Sequence, residues 1–354
     1  MKDWIRPEIK ALSAYHVPDS SGFIKLDAME NPYHWSDELT DEWLVQLRHA
    51  ELNRYPDPAA SQLKQQIQTT LNIPSDSELI LGNGSDELIQ MIMMTVSGSD
   101  RTVLSVEPSF VMYKMIATFL GMPYVGVPLT SDFTLDEAAV LSAIEQHQPA
   151  IIFLAYPNNP TGNLFDERVI DKIITSTDGL IVIDEAYYAF AGKTYANKLK
   201  QHKNLLVMRT VSKMGLAGLR LGYLAGAQEL VNEFDKVRLP YNINVLTQLS
   251  ANFALDHVSE LNRQTDKIKQ DRELLMAALR SIDGLDVFPS QANFILFRTT
   301  SKAAGDVFES LKQQKILIKN LSKASASLNN CLRVTVGLPE ENEAFLTALQ
   351  AALK

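Results

Sequence analysis

The middle of the chain most limits what it can fold into, because short apolar runs alternate there with helical patterns. Residues 103–106, 125–128, 151–155, 180–183, 205–208 and 221–225 are strand-sized and mostly rich in β-branched side chains. Between them, residues 110–120 and 166–176 carry the spacing of helices with one apolar face. Strands that are apolar throughout must be covered on both faces, as in a mainly parallel sheet whose crossover helices pack on either side. Ligands of such sheets sit beyond the carboxyl ends of the strands. Polar residues that directly follow an apolar run are therefore the ones to inspect.

With 354 residues the chain is too long for one small core. Residues 245–280 are helical and charged, and after Gly284 strand patterns at 285–287, 293–298 and 332–336 interleave with two helices. The expected fold is α/β: a large domain with a mainly parallel sheet, plus a smaller α/β domain built from the N- and C-terminal segments. The expected division is 1–45 as an N-terminal arm and part of the small domain, 46–275 as the large cofactor-binding domain, and 276–354 as the C-terminal small domain. Pro7, Pro18 and Pro32, with little periodicity around them, predict an extended arm over the first 45 residues.

Several function classes are excluded early. Apolar and charged contents of 46% and 21% are those of a globular chain, and a net charge of −9 would repel nucleic-acid phosphates. The six histidines, at 16, 34, 49, 147, 202 and 257, have no metal-ligand spacing. No apolar run reaches the length of a membrane span, and Met1-Lys2-Asp3-Trp4 does not begin a signal peptide. One cysteine, Cys331, allows no internal disulfide, so a cytoplasmic location is expected.

Four loops carry the chemistry. Gly82-Asn83-Gly84-Ser85-Asp86-Glu87 precedes a helical pattern, and free N–H groups at a helix start bind anions; the plainer reading is a helix capped by Ser85 or Asp86. Tyr156-Pro157-Asn158-Asn159-Pro160-Thr161-Gly162 forms a stiff turn where a ligand would sit. Asp184 ends a buried strand, where a carboxylate needs a cation or a donor unless it only caps a helix. Lys213 follows another strand, between Ser212 and a glycine-bearing turn that ends at Arg220. Most lysines are simply exposed, but one held in a pocket can lose its proton and act as a nucleophile.

In their order these residues resemble the large family of aminotransferases with the aspartate-aminotransferase fold, nearest to its histidinol-phosphate branch. The resemblance rests on Leu26-Asp27 through Glu30-Asn31-Pro32-Tyr33, Arg54-Tyr55-Pro56-Asp57, the 82–87 loop, Asn158 to Gly162, Asp184-Glu185-Ala186-Tyr187, 210–220, Gln291 to Phe294 and 332–337, nearly the whole chain. It implies pyridoxal 5′-phosphate held by Lys213 as a Schiff base, with the freed lysine then moving the substrate proton. Asp184 would pair with the pyridine nitrogen, and Tyr187 and Asn159 would bond the ring's phenolic oxygen. Phe110 would stack on the ring, or be a core aromatic. The phosphate would lie on the backbone of Ser85 and Asp86, with Thr210, Ser212 and Arg220. Tyr55 would reach the phosphate of a neighbouring subunit, giving a homodimer with shared sites. Arg333 would bind the substrate's acidic end, with Tyr15, Asn31 and Arg54 as further pocket residues.

The implied substrates are L-histidinol phosphate, L-glutamate and 2-oxoglutarate. An aromatic amino-acid aminotransferase, and then a decarboxylase of a phosphorylated amino acid, are the alternatives on the same chemistry. A regulator built on this fold would be expected to carry an added DNA-binding domain, for which no helix-turn-helix pattern is seen, and the 82–87 loop lacks the third glycine of a nicotinamide fingerprint. Three departures bear on the substrate: the segment 213–220 is one residue shorter than in many members, Met29 stands where many have a polar residue, and Lys319 stands where arginine is common. A lysine is a point charge and not a fork, so it grips a phosphate less specifically.

Overall fold

The computed structural model describes residues 4–14, 18–98 and 100–354. In chain order the strands among them are β1 (Ile24–Lys25), β2 (Glu78–Asn83), β3 (Val103–Glu107), β4 (Tyr124–Pro128), β5 (Ile151–Ala155), β6 (Leu180–Asp184), β7 (Leu205–Thr210), β8 (Leu221–Gly226), β9 (Leu285–Val287), β10 (Phe294–Thr299), β11 (Ile316–Leu317), β12 (Lys319–Asn320) and β13 (Cys331–Thr335). Every residue of β5, β7 and β8 is buried, as strands covered on both faces require.

Seven strands form the main sheet in the order β2-β8-β7-β6-β5-β3-β4. The pairs β4–β3–β5–β6–β7 are parallel, and β8 runs antiparallel to both β2 and β7. Register sets Asp184 opposite Ala155 and Met208, so the turn after β5, the acid at the end of β6 and the segment after β7 emerge at one edge. Helix Ser85–Val96 covers one face of the sheet with Leu88 and Ile92; helices Ser61–Thr70, Glu137–His147 and Glu167–Thr175 cover the other.

A second apolar core lies around the antiparallel sheet β12-β13-β10-β9 and helices Ala304–Gln313 and Pro339–Leu353. Phe294, Phe297, Leu311 and Phe345 fill it, and Leu26 joins them because β1 pairs in parallel with β11. Helix Val258–Arg280 contributes Leu261 to the first core and Ile268, Leu275 and Leu279 to the second, so the expected division at 275/276 falls inside one helix.

The extended arm expected over residues 1–45 requires correction. Besides β1 it contains a short helix, Pro7–Lys10, and most of the helix Asp37–Leu47, which Ser36 caps by accepting from the Leu39 N–H. The second helix buries none of its residues fully, and Trp43 ties it to Ser250 at 2.9 Å. A helix with so little buried surface writes no strong apolar period into its sequence. Among the described residues no helix is long and apolar enough to cross a membrane.

Candidate active site

Asp184 ends β6 and is almost wholly buried. Its Oδ2 accepts from the Tyr113 hydroxyl at 2.6 Å and its Oδ1 from the Ala186 N–H at 3.1 Å. Neither donor is a cation, and burial raises the carboxyl to about 6 against the pull of these two bonds. Such a group gains by meeting a positive charge. Lys213 lies in the short 3₁₀ turn after β7, its Nζ 3.3 Å from the Ala28 carbonyl and 5.9 Å from the centre of the Tyr187 ring. Burial, and then the charge of Arg333, lower its ammonium to about 8. An amine so placed is a usable nucleophile and base near neutral pH.

The anion cradle forms where β2 turns into helix Ser85–Val96. Gly84 sits at φ 80°, a region open to glycine, and a Cβ there would come within 2.5 Å of Arg220 Nη2. A Cβ on Gly222 would likewise meet the Ser85 nitrogen at 2.9 Å. Gly84 has no side chain to cap the helix, and Ser85 and Asp86 at its start line the cleft together with Arg220. Glu87 instead turns back to accept from the Asn83 N–H at 2.7 Å. Arg220 stands 3.6 Å from Asp86 Oδ2, while Asp86 Oδ1 is buried with no hydrogen-bond partner. Thr210 donates its hydroxyl to Ser212 Oγ at 2.9 Å beside them.

The asparagine turn divides its labour. Asn158 is fully buried and holds the loop, donating to the Pro108 carbonyl at 3.0 Å and Thr161 Oγ1 at 2.8 Å and accepting from Ser109 at 2.8 Å. Asn159 faces the cleft: Nδ2 donates to the Tyr187 hydroxyl at 3.3 Å, and Oδ1 accepts from Arg333 Nη1 at 2.6 Å. Arg333 Nη2 reaches the Asp27 carbonyl at 3.2 Å, and its guanidinium lies 5.1 Å from the Phe294 ring centre. The second core thus delivers Arg333 to a turn that grows from the main sheet.

Every residue expected to bind the cofactor, apart from Tyr55, lines this one cleft. Phe110 is among them and meets Tyr113 edge-on at 5.6 Å. Tyr55 is 79% exposed and stacked on Tyr241 at 4.4 Å, away from the cleft of its own chain. Arg54 is exposed beside it. Asn31 uses its amide to bond the Met214 carbonyl at 3.2 Å and Gln264 at 2.9 Å, fastening the N-terminal segment to the Lys213 turn. Tyr15 lies outside the described residues.

Sequence reasoning missed the roles of four residues. Tyr113 lies one turn beyond Phe110 and is indistinguishable in sequence from any core aromatic. Met29 was noted only as a departure, yet it lines the cleft and its sulfur accepts from Tyr187. Glu185 and Arg209 form a buried pair at 2.8 Å, with Arg209 also donating to Tyr223 at 3.3 Å and Thr194 at 2.7 Å. The pair joins β6 and β7 immediately behind Asp184 and Lys213. The adjacency of Glu185 to Asp184 is visible in sequence; the arginine that neutralises it is not.

The sequence pattern of the family described as aminotransferase class I and II matches residues 21–349, and the chain belongs to that family. Its cofactor is pyridoxal 5′-phosphate, and the activity is that of an aminotransferase. Among its curated relatives, histidinol-phosphate aminotransferase 2 of Nitrosococcus oceani is 54% identical over 351 residues, covering 99% of this chain and 98% of the relative. Histidinol-phosphate aminotransferase 1 of Ralstonia nicotianae is 50% identical, covering 99% and 94%. In structure the chain is similar to histidinol-phosphate aminotransferase from Sinorhizobium meliloti in complex with pyridoxal-5′-phosphate, with a TM-score of 0.87 at 24% identity, covering 100% of this chain and 98% of that one.

The residues present suit this cofactor. A glycine-shaped anion cradle with Arg220, a buried carboxylate lacking a cation and an amine of lowered basicity line one cleft, the kinds of group that a phosphate, a pyridine nitrogen and an aldehyde carbon would call for.

Proposed function

We propose that the chain transfers the amino group between L-histidinol phosphate and 2-oxoglutarate, giving imidazole-acetol phosphate and L-glutamate. The observation that carries this reading is the meeting of Lys213 and Asp184 in one cleft, a nucleophile and a buried acid, with the Arg333 fork bonded to Asn159 of its lining. The naming of both 50%-level relatives supports the substrate. When bound, pyridoxal phosphate supplies an electron sink that makes the substrate Cα–H acidic.

The chain's own residues do the rest. Asp184 keeps a proton on the ring nitrogen by its charge, and Tyr113 and the Ala186 N–H keep that carboxylate ionised and aimed. Lys213 Nζ first holds the cofactor, then removes the proton from the substrate Cα, so the base is already in place when the substrate arrives. Tyr187 and Asn159 would bond the ring's phenolic oxygen, and Phe110 would cover the ring. The backbone N–H groups of Ser85 and Asp86, with the side chains of Thr210, Ser212 and Arg220, would hold the phosphate. Arg333 takes the α-carboxylate of glutamate in one half-reaction and the phosphate of histidinol phosphate in the other, two anions that a planar guanidinium can each grip by two bonds. Lys319 is its register partner on β12 and adds a second cation on that face.

Tyr55 completes the phosphate site of a second copy, so the working unit is a homodimer; its exposure, and that of Leu52 and Leu239 nearby in sequence to the Tyr55–Tyr241 stack, support this. The location we infer is the cytoplasm, in keeping with a single, buried cysteine.

Single-turnover absorbance of the cofactor-loaded protein tests the substrate. Fast change with L-histidinol phosphate and L-glutamate, and slow change with L-phenylalanine, is expected. Fast change with phenylalanine and none with histidinol phosphate would keep the aminotransferase and overturn its substrate.

A further inference from the structure

Residues 27–31 cross the cleft and are fastened to it along their length. The Asp27 carbonyl accepts from Arg333 at 3.2 Å and that of Ala28 from Lys213 at 3.3 Å. Met29 is held at both ends of its backbone: its N–H donates to Thr335 Oγ1 at 2.9 Å, and its carbonyl accepts from Asn293 Nδ2 at 3.0 Å. These anchors keep Met29 at φ 55°, a left-handed conformation that disfavours any side chain bearing a Cβ. The side chain is thereby directed into the cleft, where Sδ accepts from the Tyr187 hydroxyl at 3.2 Å. The same phenolic oxygen accepts from Asn159 Nδ2 at 3.3 Å.

A phenol has one hydrogen to give, and a thioether sulfur accepts it weakly. An amide oxygen in the same place would hold that hydrogen firmly, and a hydrocarbon would not hold it at all. We propose that Met29 is a positioning residue that acts through Tyr187: it points the hydroxyl into the cleft, yet surrenders the hydrogen when the cofactor's phenolic oxygen arrives. The inference deepens the reading above and rests on Tyr187 donating to that oxygen. Stronger donation there draws electron density from the ring, and the nitrogen joining Lys213 to the cofactor then binds its proton less tightly. The acceptor at position 29 therefore sets the pH at which that nitrogen titrates.

The test is a spectrophotometric pH titration of the loaded, substrate-free protein, with the dissociation constant of pyridoxal phosphate measured alongside. Met29→Gln and Met29→Leu are both unbranched at Cβ, so they share the backbone cost of the position with methionine. Met29→Gln is expected to raise the midpoint by roughly half a pH unit or more and to weaken cofactor binding severalfold. Met29→Leu moves the midpoint the opposite way. Tyr187→Phe raises it further, and in that background neither Met29 substitution has any effect. Shifts of the same sign for both variants, no shift, or an effect that persists without the Tyr187 hydroxyl would overturn the inference and leave the role of Tyr187 standing. An unchanged midpoint in Tyr187→Phe alone would overturn both.

Discussion

In the cofactor-free protein Lys213 should react with aldehydes as an amine that titrates near pH 8. The perturbation is pH itself, followed by Arg333→Gln. An ordinary lysine sits at 10.5; burial first, and the Arg333 guanidinium second, bring Lys213 to about 8. The neutral amine is the nucleophile, so reactivity must rise with pH and level off above the lowered value. At pH 7 the difference leaves on the order of a hundredfold more free amine than an exposed lysine would have. The assay mixes cofactor-free protein with pyridoxal phosphate across this pH range, traps the product by reduction and locates it by mass spectrometry. Half-maximal rate near pH 8, with the label on Lys213, is expected. Arg333→Gln removes the second of these causes, leaving burial and the weaker effect of Arg220, and should move the midpoint upward. A midpoint near that of an exposed lysine, or a downward move in Arg333→Gln, would refute the electrostatic account.

Tyr113→Phe deletes the 2.6 Å bond that favours the charged form of Asp184, so its carboxyl should rise above about 6 and bind a cationic ring poorly in mildly acid solution. Pyridoxal phosphate affinity near pH 6.5 should fall roughly tenfold and recover toward pH 8.5; equilibrium dialysis giving wild-type values at both would remove Tyr113 from the site. A mixture of Lys213→Ala and Tyr55→Phe chains should regain activity when subunits exchange, since one site of each heterodimer then has both groups. Verified heterodimers that stay inactive would exclude the shared site.

The sheet and the cradle were legible because their causes are local. Strands buried on both faces must be apolar throughout, so β3, β5, β6, β7 and β8 announce themselves; three working loops follow β5, β6 and β7, and the cradle loop follows β2. The small residues before helix Ser85–Val96, the acid ending β6 and the lysine after β7 needed no partner to be noticed. The helix Asp37–Leu47 escaped because it buries too little to leave an apolar period.

What the tertiary structure alone decided are the meetings between side chains far apart in the chain. Tyr113 bonds Asp184 across 71 residues, Arg333 meets Asn159 across 174, and Met29 meets Tyr187 across 158. Nothing near Met29 in sequence distinguishes a strained residue aimed at the cleft from an ordinary apolar one. Its conformation is imposed by Thr335 and Asn293, and those residues reach it only because β1 adds to β11 and carries the N-terminal segment across the second core. Residue types at strand ends thus determine which chemistry is available. The packing of the two cores against that edge determines which groups touch, because hydrogen bonds and charge pairs depend on distances that no local pattern encodes.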